Sequence, residues 1–179
     1  YMRICNIKGV TYVNNILVVN KSYPLPEDYN PKSLTADTLK AFRKMSCCAK
    51  KDGIHLCIYS GFRSYEYQNN LYNNYVSVYG QEVTDTFSAR AGYSEHQTGM
   101  AIDVNSADDS FDGTPEALWL ADNSWKFGFI IRYPKDKQHI TGYKYEPWHV
   151  RYVGTQTARK LYCSGLTLEE YLEIDSVYR

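Results

Sequence analysis

Apolar residues between positions 35 and 53 recur at the spacing of an amphipathic helix. Leu39, Phe42 and Met45 fall three positions apart, which puts them on one face of a helix. Gly53 follows this run and is a residue type that ends helices. We therefore predict a helix that begins near Thr35 and ends at Gly53.

A second helix is predicted to begin after Ser64, a residue type that favours the helix N-cap. Tyr67, Leu71 and Tyr75 then follow four positions apart and would form its apolar stripe. Between the two helices, residues 54–59 are largely apolar, and we predict a buried strand there.

Alternation with a period of two marks residues 100–104 as a strand. Met100, Ile102 and Val104 would face the core. Ala101 and Asp103 would then face the other way, with the small alanine leaving room beside the carboxylate. We therefore expect Asp103 on the open face of a sheet.

The rest of the chain predicts short elements of both kinds. Residues 1–33 read as an irregular or short-strand lead-in, with 1–16 preceding the first clear strand. Further strands are predicted at 16–19, 129–132 and 148–153, and further helices from Thr114-Pro115, over 155–163, and from a capping box at Thr167. Because βαβ alternation is absent, we predict one α+β domain over residues 1–179, with a mainly antiparallel sheet flanked by helices.

Charge and hydropathy narrow the classes of partner. Lys and Arg total 20 and Asp and Glu total 20, so the formal net charge is zero. This charge does not indicate binding to nucleic acid or to an anionic membrane. No apolar run is long enough to cross a bilayer. The chain begins at Tyr1 rather than Met, so we expect it to be trimmed, and a missing signal or anchor carries no information.

Five cysteines without a C-x-x-C pair are expected to be free, buried thiols.

Two histidines and one aspartate are the candidate metal ligands. His96 and Asp103 flank Gly99, which can turn the chain between a loop histidine and a strand aspartate. His149 follows Pro147, which bends a strand path and could bring Glu146 and His149 to the same metal. The alternative for Glu146 is a surface salt bridge.

Three protein ligands indicate catalytic rather than structural zinc, because structural zinc is normally closed by four. We predict a Zn²⁺ site on the open face of the sheet, with ligands His96, Asp103 and His149. Glu146 would be the general base toward water.

Other residues are candidates for substrate contact. Arg63 lies in an exposed turn after a strand, where a guanidinium can bind a carboxylate or stabilise an oxyanion; the alternative is a solvated surface charge. Gln68, one turn into the following helix, could reach the same pocket. Trp148 would form a wall that supports His149. His55 and His139 are left out of the site.

The chain resembles the zinc D-alanyl-D-alanine carboxypeptidases of bacterial cell-wall metabolism, of the vancomycin-resistance VanY type. The likeness runs from about Val18 to Leu172. It rests on ordered segments that include SGFRS (60–64), SEHQTG (94–99), AID (101–103), RYP (132–134), EPWH (146–149) and LEEY (168–171). Two small departures are Phe62, where relatives often carry tyrosine, and Ala91, where proline is common.

The resemblance implies roles for individual residues. Zinc would bind His96, Asp103 and His149, with Glu146 as the base and Arg63 in substrate binding and transition-state stabilisation. Gln68 and Ser94 would help to hold the terminal carboxylate of the peptide. Tyr133 would line the pocket together with the Trp148 wall.

The expected function is a D,D-carboxypeptidase that removes the C-terminal D-Ala from peptidoglycan stem pentapeptides. Three alternatives stay open: an L,D-carboxypeptidase acting on stem tetrapeptides, a D,D-dipeptidase, and a non-catalytic cell-wall binding module. The expected partner is a stem peptide or precursor ending in D-Ala-D-Ala. We expect a monomer that is extracytoplasmic, in the wall or anchored to the membrane by a segment outside this sequence; the alternative is a cytoplasmic location.

Overall fold

The computed structural model describes residues 2–179, and these residues form two antiparallel sheets. The first is a meander of three short strands, β1 (Ile4–Ile7), β2 (Val10–Val13) and β3 (Ile16–Val18). The second has the order β4-β5-β7-β6, made of β4 (Ile58–Ser60), β5 (Ala101–Val104), β6 (Phe129–Ile131) and β7 (His149–Tyr152). Every pair in both sheets is antiparallel, which confirms the predicted α+β class.

Seven α-helices surround the sheets within residues 2–179. They are α1 (Ala36–Lys51), α2 (Tyr65–Tyr79), α3 (Gln81–Thr84), α4 (Pro115–Asn123), α5 (Gln138–Thr141), α6 (Thr155–Ser164) and α7 (Leu168–Leu172). The predicted N-caps Ser64, Thr114 and Thr167 each accept a backbone N–H, and so does Thr35, where the first helix was predicted to begin. Thr167 and Glu170 complete the predicted capping box.

The main core lies between α1, α4 and one face of the second sheet. Met45 of α1 and Leu120 of α4 are fully buried in the same cluster as Ile102, Val104 and Val150. The predicted parity of β5 is therefore confirmed for Ile102 and Val104, whereas Met100 precedes the strand, is half-buried and lies outside this cluster. The polar side of β5 is not an open surface as predicted, since Asp103 is only 3% exposed and lines a cleft.

Burial differs from prediction in two elements. The strand predicted at 54–59 is shorter and shifted, and β4 is an edge strand in which Tyr59 is 64% exposed. In α2 the expected stripe is also wrong, because Tyr67 is exposed and the buried positions are Gln68 and Tyr72. Within 54–59 it is Leu56, ahead of β4, that is buried in the main core, with Ile54 packed against the same cluster.

The cysteines are free, as expected, but not buried. Cys5, Cys47, Cys57 and Cys163 are exposed, and Cys48 is half-buried. No helix within residues 2–179 has the length and apolar character needed to span a bilayer.

Candidate metal centre and active site

Three side chains from separate segments converge on the polar face of the second sheet. His96, Asp103 and His149 each offer one donor atom, and these atoms lie within 4.8 Å of one another. Asp103 Oδ1 is 3.2 Å from His96 Nε2 and 3.3 Å from His149 Nδ1. Asp103 and His149 are paired directly across β5 and β7. Strand register therefore sets two of the three predicted ligands side by side.

The third predicted ligand, His96, lies in a short 3-10 helix, Glu95–Thr98. Ser94 caps it by accepting the His96 N–H, and Gly99 ends it in the left-handed region at φ 70°. A Cβ at Gly99 would come within 2.5 Å of the Ser33 carbonyl oxygen. Glycine is therefore required at the turn that links the histidine to β5.

Outer acceptors orient both imidazole rings. His96 Nδ1 lies 2.6 Å from the Gly61 carbonyl oxygen, and His149 Nε2 lies 3.3 Å from Glu95 Oε2. With a proton on each of these outer nitrogens, His96 Nε2 and His149 Nδ1 present lone pairs toward Asp103. Metal-binding histidines are commonly held in this way by a carbonyl or a carboxylate.

The donor set fits zinc. Imidazole nitrogen and carboxylate oxygen are both common zinc ligands, and donors at about 2.0–2.2 Å from one tetrahedral zinc are about 3.3–3.6 Å apart. The two separations from Asp103 Oδ1, 3.2 and 3.3 Å, are close to that spacing. Three protein donors also leave one tetrahedral position for water.

Electrostatics favour a positive charge at this point. Burial raises the pKa of Asp103, but the adjacent His96 and His149 outweigh burial and hold the pKa well below its ordinary value. Burial lowers the pKa of His149, yet hydrogen bonds with Asp103 and Glu95 raise it to about 9. A cation among these groups is thus stabilised by carboxylates on two sides.

Glu146 stands beside the three donors. The chain turns between Glu146 and His149, with the His149 N–H donating to the Glu146 carbonyl oxygen at 3.2 Å. This turn, which contains Pro147, brings Glu146 Oε2 within 3.6 Å of His149 Nδ1. Burial raises the pKa of the Glu146 carboxyl to about 8. The predicted proximity of Glu146 and His149 is therefore present, and Glu146 is not a surface ion pair.

Arg63 is held by two partners in the same cleft. Its Nη1 donates to Gln68 Oε1 and its Nη2 donates to Asp103 Oδ2, both at 3.0 Å. Gln68 in turn donates to the Ala89 carbonyl oxygen at 2.7 Å. Arg63 Nε is buried and has no partner among the described residues. The guanidinium thus keeps free N–H groups, whereas the Gln68 side chain is occupied in holding Arg63.

The remaining predicted residues line this cleft. Ser94, Tyr133 and Trp148 are all buried in its wall, and the Tyr133 ring centre lies 4.8 Å from that of His149. Tyr75, Phe87 and Lys144 also line the cleft and were not predicted as site residues. The alternating aromatic and polar residue types around them gave no specific signal.

Sequence reasoning also missed a buried ion network behind His149. Glu95 Oε1 accepts from Arg132 Nε at 2.7 Å and from Arg151 Nη1 at 2.9 Å. Glu169 accepts from both terminal nitrogens of Arg132, at 2.8 and 2.6 Å. One signal was available: Arg151 stands two positions after His149, and therefore on the same face of β7.

An antiparallel sheet with a His-Asp-His donor set, a buried glutamate and an arginine in one cleft defines the class of zinc-dependent hydrolases. Comparison with known proteins narrows the class. Residues 31–155 match the family model described as VanY, D-alanyl-D-alanine carboxypeptidase. The chain belongs to this family of carboxypeptidases, which confirms the resemblance drawn from its motifs.

Individual relatives carry related names. The putative carboxypeptidase YodJ of Bacillus subtilis is 40% identical over 96% of this chain and 72% of its own length. A structure of the LD-carboxypeptidase LdcB has a TM-score of 0.90 and 40% identity over 99% of both chains. A D,D-pentapeptidase VanY variant in complex with Zn(II) has a TM-score of 0.77 and 36% identity over 87% of this chain and 97% of its own. The three relatives that align over at least 90% of this chain are longer, and the chain spans 58–72% of their lengths.

Zinc is therefore the cofactor indicated for this chain. The family relative was determined with Zn(II), and residues 2–179 contain a His-Asp-His group whose three donors could hold a metal ion.

Proposed function

We propose that this chain is a zinc carboxypeptidase that removes the terminal D-alanine from peptidoglycan stem peptides. The observation that carries the proposal is the convergence of His96, Asp103 and His149 beside a buried, protonatable Glu146. Arg63 in the same cleft adds a cation for an anionic substrate group.

Each residue has a defined task in the proposed reaction. When bound, zinc lowers the pKa of water toward ~7 and polarises a carbonyl. Glu146 accepts a proton from the attacking water as the oxygen–carbon bond forms. The carbon–nitrogen bond of the terminal peptide then breaks, and Glu146 returns the proton to the leaving amine. A glutamate whose pKa is raised by burial can serve in both directions near neutral pH.

Arg63 is proposed to neutralise negative charge on the substrate. Its free N–H groups can receive either the terminal carboxylate or the oxygen that becomes negative during attack. The contact from Gln68 fixes the guanidinium plane, so Gln68 supports binding through Arg63. Ser94, Tyr133 and Trp148 would complete the pocket around the terminal residue.

Two stem peptides are candidate substrates. The D,D reaction on pentapeptides is the sequence-based expectation, and the L,D reaction on tetrapeptides is its alternative. The likeness to LdcB and to an L,D-carboxypeptidase DacB covers 99% of this chain, against 87% for the D,D-pentapeptidase. This coverage supports the tetrapeptide as the preferred substrate, with the pentapeptide as the second candidate.

Mass spectrometry of the products can separate these reactions. Purified protein would be incubated with stem pentapeptide, tetrapeptide and D-Ala-D-Ala, each with and without a zinc chelator. We expect loss of one alanine, faster from the tetrapeptide, and no product after chelation until zinc is restored. Retention of activity in chelator would contradict the zinc proposal. Binding without turnover of any peptide would instead support the non-catalytic module.

The proposed location follows from the proposed substrate. Stem peptides in the wall would put the enzyme outside the cytoplasmic membrane, in the wall or on an anchor. A monomer is proposed, because all proposed catalytic groups come from one chain.

A further inference from the structure

Glu95 connects a proposed zinc ligand to a buried group of charges. Its Oε2 lies 3.3 Å from His149 Nε2, the nitrogen that faces away from Asp103. Its Oε1 is held by Arg132 and Arg151. Both oxygens of one carboxylate are therefore in use, one toward the histidine and the other toward two guanidinium groups.

The charges of this network balance. Glu95, Glu169, Arg132 and Arg151 are each only 1% exposed, and they contribute two negative and two positive charges. Asn20 donates to Glu169 at 3.1 Å, and Arg151 also donates to the Leu17 carbonyl oxygen at 2.7 Å. The network therefore carries no uncompensated buried charge of its own.

Strand register provides the space for this network. Arg151 and His149 lie on the same face of β7, and the partner of Arg151 on β5 is Ala101. The small alanine leaves room for the arginine side chain, which reaches Glu95. The Glu95 carboxylate is thus held by Arg151 of β7 and by Arg132, the residue after β6, which Glu169 of α7 holds in turn.

We propose that Glu95 is a positioning residue that accepts the Nε2–H of His149 and so directs the Nδ1 lone pair to the zinc. The inference rests on the proposed function only in taking His149 as a zinc ligand. It assigns Glu95 no contact with the substrate. A carboxylate acceptor of this kind fixes the tautomer and orientation of a metal-binding histidine and strengthens metal affinity.

Glu95→Asp and Glu169→Asp form a matched pair of variants. Each shortens one carboxylate of the network by a methylene and keeps the charge balance, but only Glu95 contacts His149. Zinc affinity would be measured by competition with a chromophoric chelator, and thermal unfolding of the metal-free protein would report on folding. We expect Glu95→Asp to weaken zinc binding by about 10–100-fold. Glu169→Asp is expected to lower the unfolding temperature with less than about a threefold change in zinc affinity.

A measurement on the unmodified protein covers the case in which Glu95→Asp does not fold. Long-range proton–nitrogen NMR of the zinc-loaded protein should show His149 with metal on Nδ1 and a slowly exchanging proton on Nε2. A His149 that lacks the Nε2 proton would overturn the proposal.

The variants separate two kinds of failure. If the unmodified protein binds no zinc, the proposed function fails. If it binds zinc and Glu95→Asp binds it equally well, or if both variants lose affinity equally, only the positioning role of Glu95 is wrong.

Discussion

Three carboxylates surround His149, and their environments give them different properties. Two arginines overcome burial and hold the pKa of Glu95 well below its ordinary value. Asp103 is held low by two histidines, and Glu146 is raised to about 8 by burial. In the described part of the chain Glu146 forms no salt bridge with Arg or Lys, and its ionic contact is with His149. One functional group can thus serve as anchor, ligand or proton carrier according to its neighbours.

Glu146→Gln tests the proton carrier. The amide keeps the size of the side chain but cannot accept the proton, so we expect kcat on the preferred stem peptide to fall by about 10²–10⁴-fold. Zinc content should stay at the level of the unmodified protein. Steady-state kinetics and metal analysis would measure both. Glu82→Gln, at an exposed position of α3, is the control and should leave both unchanged. A Glu146→Gln variant with nearly full turnover would remove Glu146 from the mechanism.

At the residue scale, the sequence indicated the candidate metal site but not the buried ion network that contacts His149. His96, Asp103, Glu146 and His149 stand in short motifs whose residue types already indicate metal chemistry. Glu95 is adjacent to His96, but the sequence alone does not distinguish it from a solvated surface charge, because its partners Arg132 and Arg151 are distant in the chain. Its importance depends on two arginines that are 37 and 56 residues away, and no local pattern predicts that pairing.

At the scale of elements, helix starts were the most predictable features. An N-cap depends on one side chain and a backbone N–H two or three residues later, so the signal is local. The strand at 54–59 was predicted wrongly because burial depends on what packs over a strand. An apolar run at a sheet edge looks the same in sequence as one in the centre.

Thr167→Ala tests the capping box of α7. The change removes the hydroxyl that accepts the Glu170 N–H, and we expect a loss of about 1 kcal/mol in the free energy of unfolding. This corresponds to a fall of about 2–4 °C in Tm for a chain of this size. Thermal unfolding by circular dichroism would measure it. Thr155→Ala is the matched control, since Thr155 begins α6 without a side-chain cap at its start, and equal losses would contradict the capping role.

At the scale of the whole molecule, polar side chains join distant segments. Asn20 near the first sheet binds Glu169 of α7, and Lys21 donates to the carbonyl oxygens of Asp85 and Gly142. Asp85 in turn accepts from Tyr72 and from both Nε and Nη2 of Arg90. These contacts tie the segment after β3 to α7 and to the residues that follow α3 and α5. Long-range ties of this kind could not be predicted from one sequence.

Asp85 makes the stability of the folded state depend on pH. Burial raises its pKa, but the contacts from Arg90 and Tyr72 outweigh burial and lower the pKa below the ordinary 3.8. The folded state therefore prefers the ionised carboxylate. Its stabilising contribution is present above pH 3.8 and is lost as the pH falls through that value toward the lower pKa of the folded state.

Asp85→Asn measures this contribution. We expect a loss of about 2 kcal/mol in the free energy of unfolding at pH 7, because charged hydrogen bonds are replaced by neutral ones. The difference from the unmodified protein should shrink as the pH is lowered toward 3. Chemical unfolding at a series of pH values would measure it. Asp122→Asn, at an exposed position, is the control. A difference that stays constant with pH would show that the carboxylate charge does not matter.

The exposed thiols affect how this molecule must be handled. Four sulfhydryls lie on the outside of the fold and none is paired within residues 2–179, so air oxidation can couple one copy to another through the solvent. Such cross-linked species would mimic a native assembly on a sizing column. Subunit number should therefore be determined with a reductant that does not bind zinc, and a band that vanishes on reduction should be counted as an artefact.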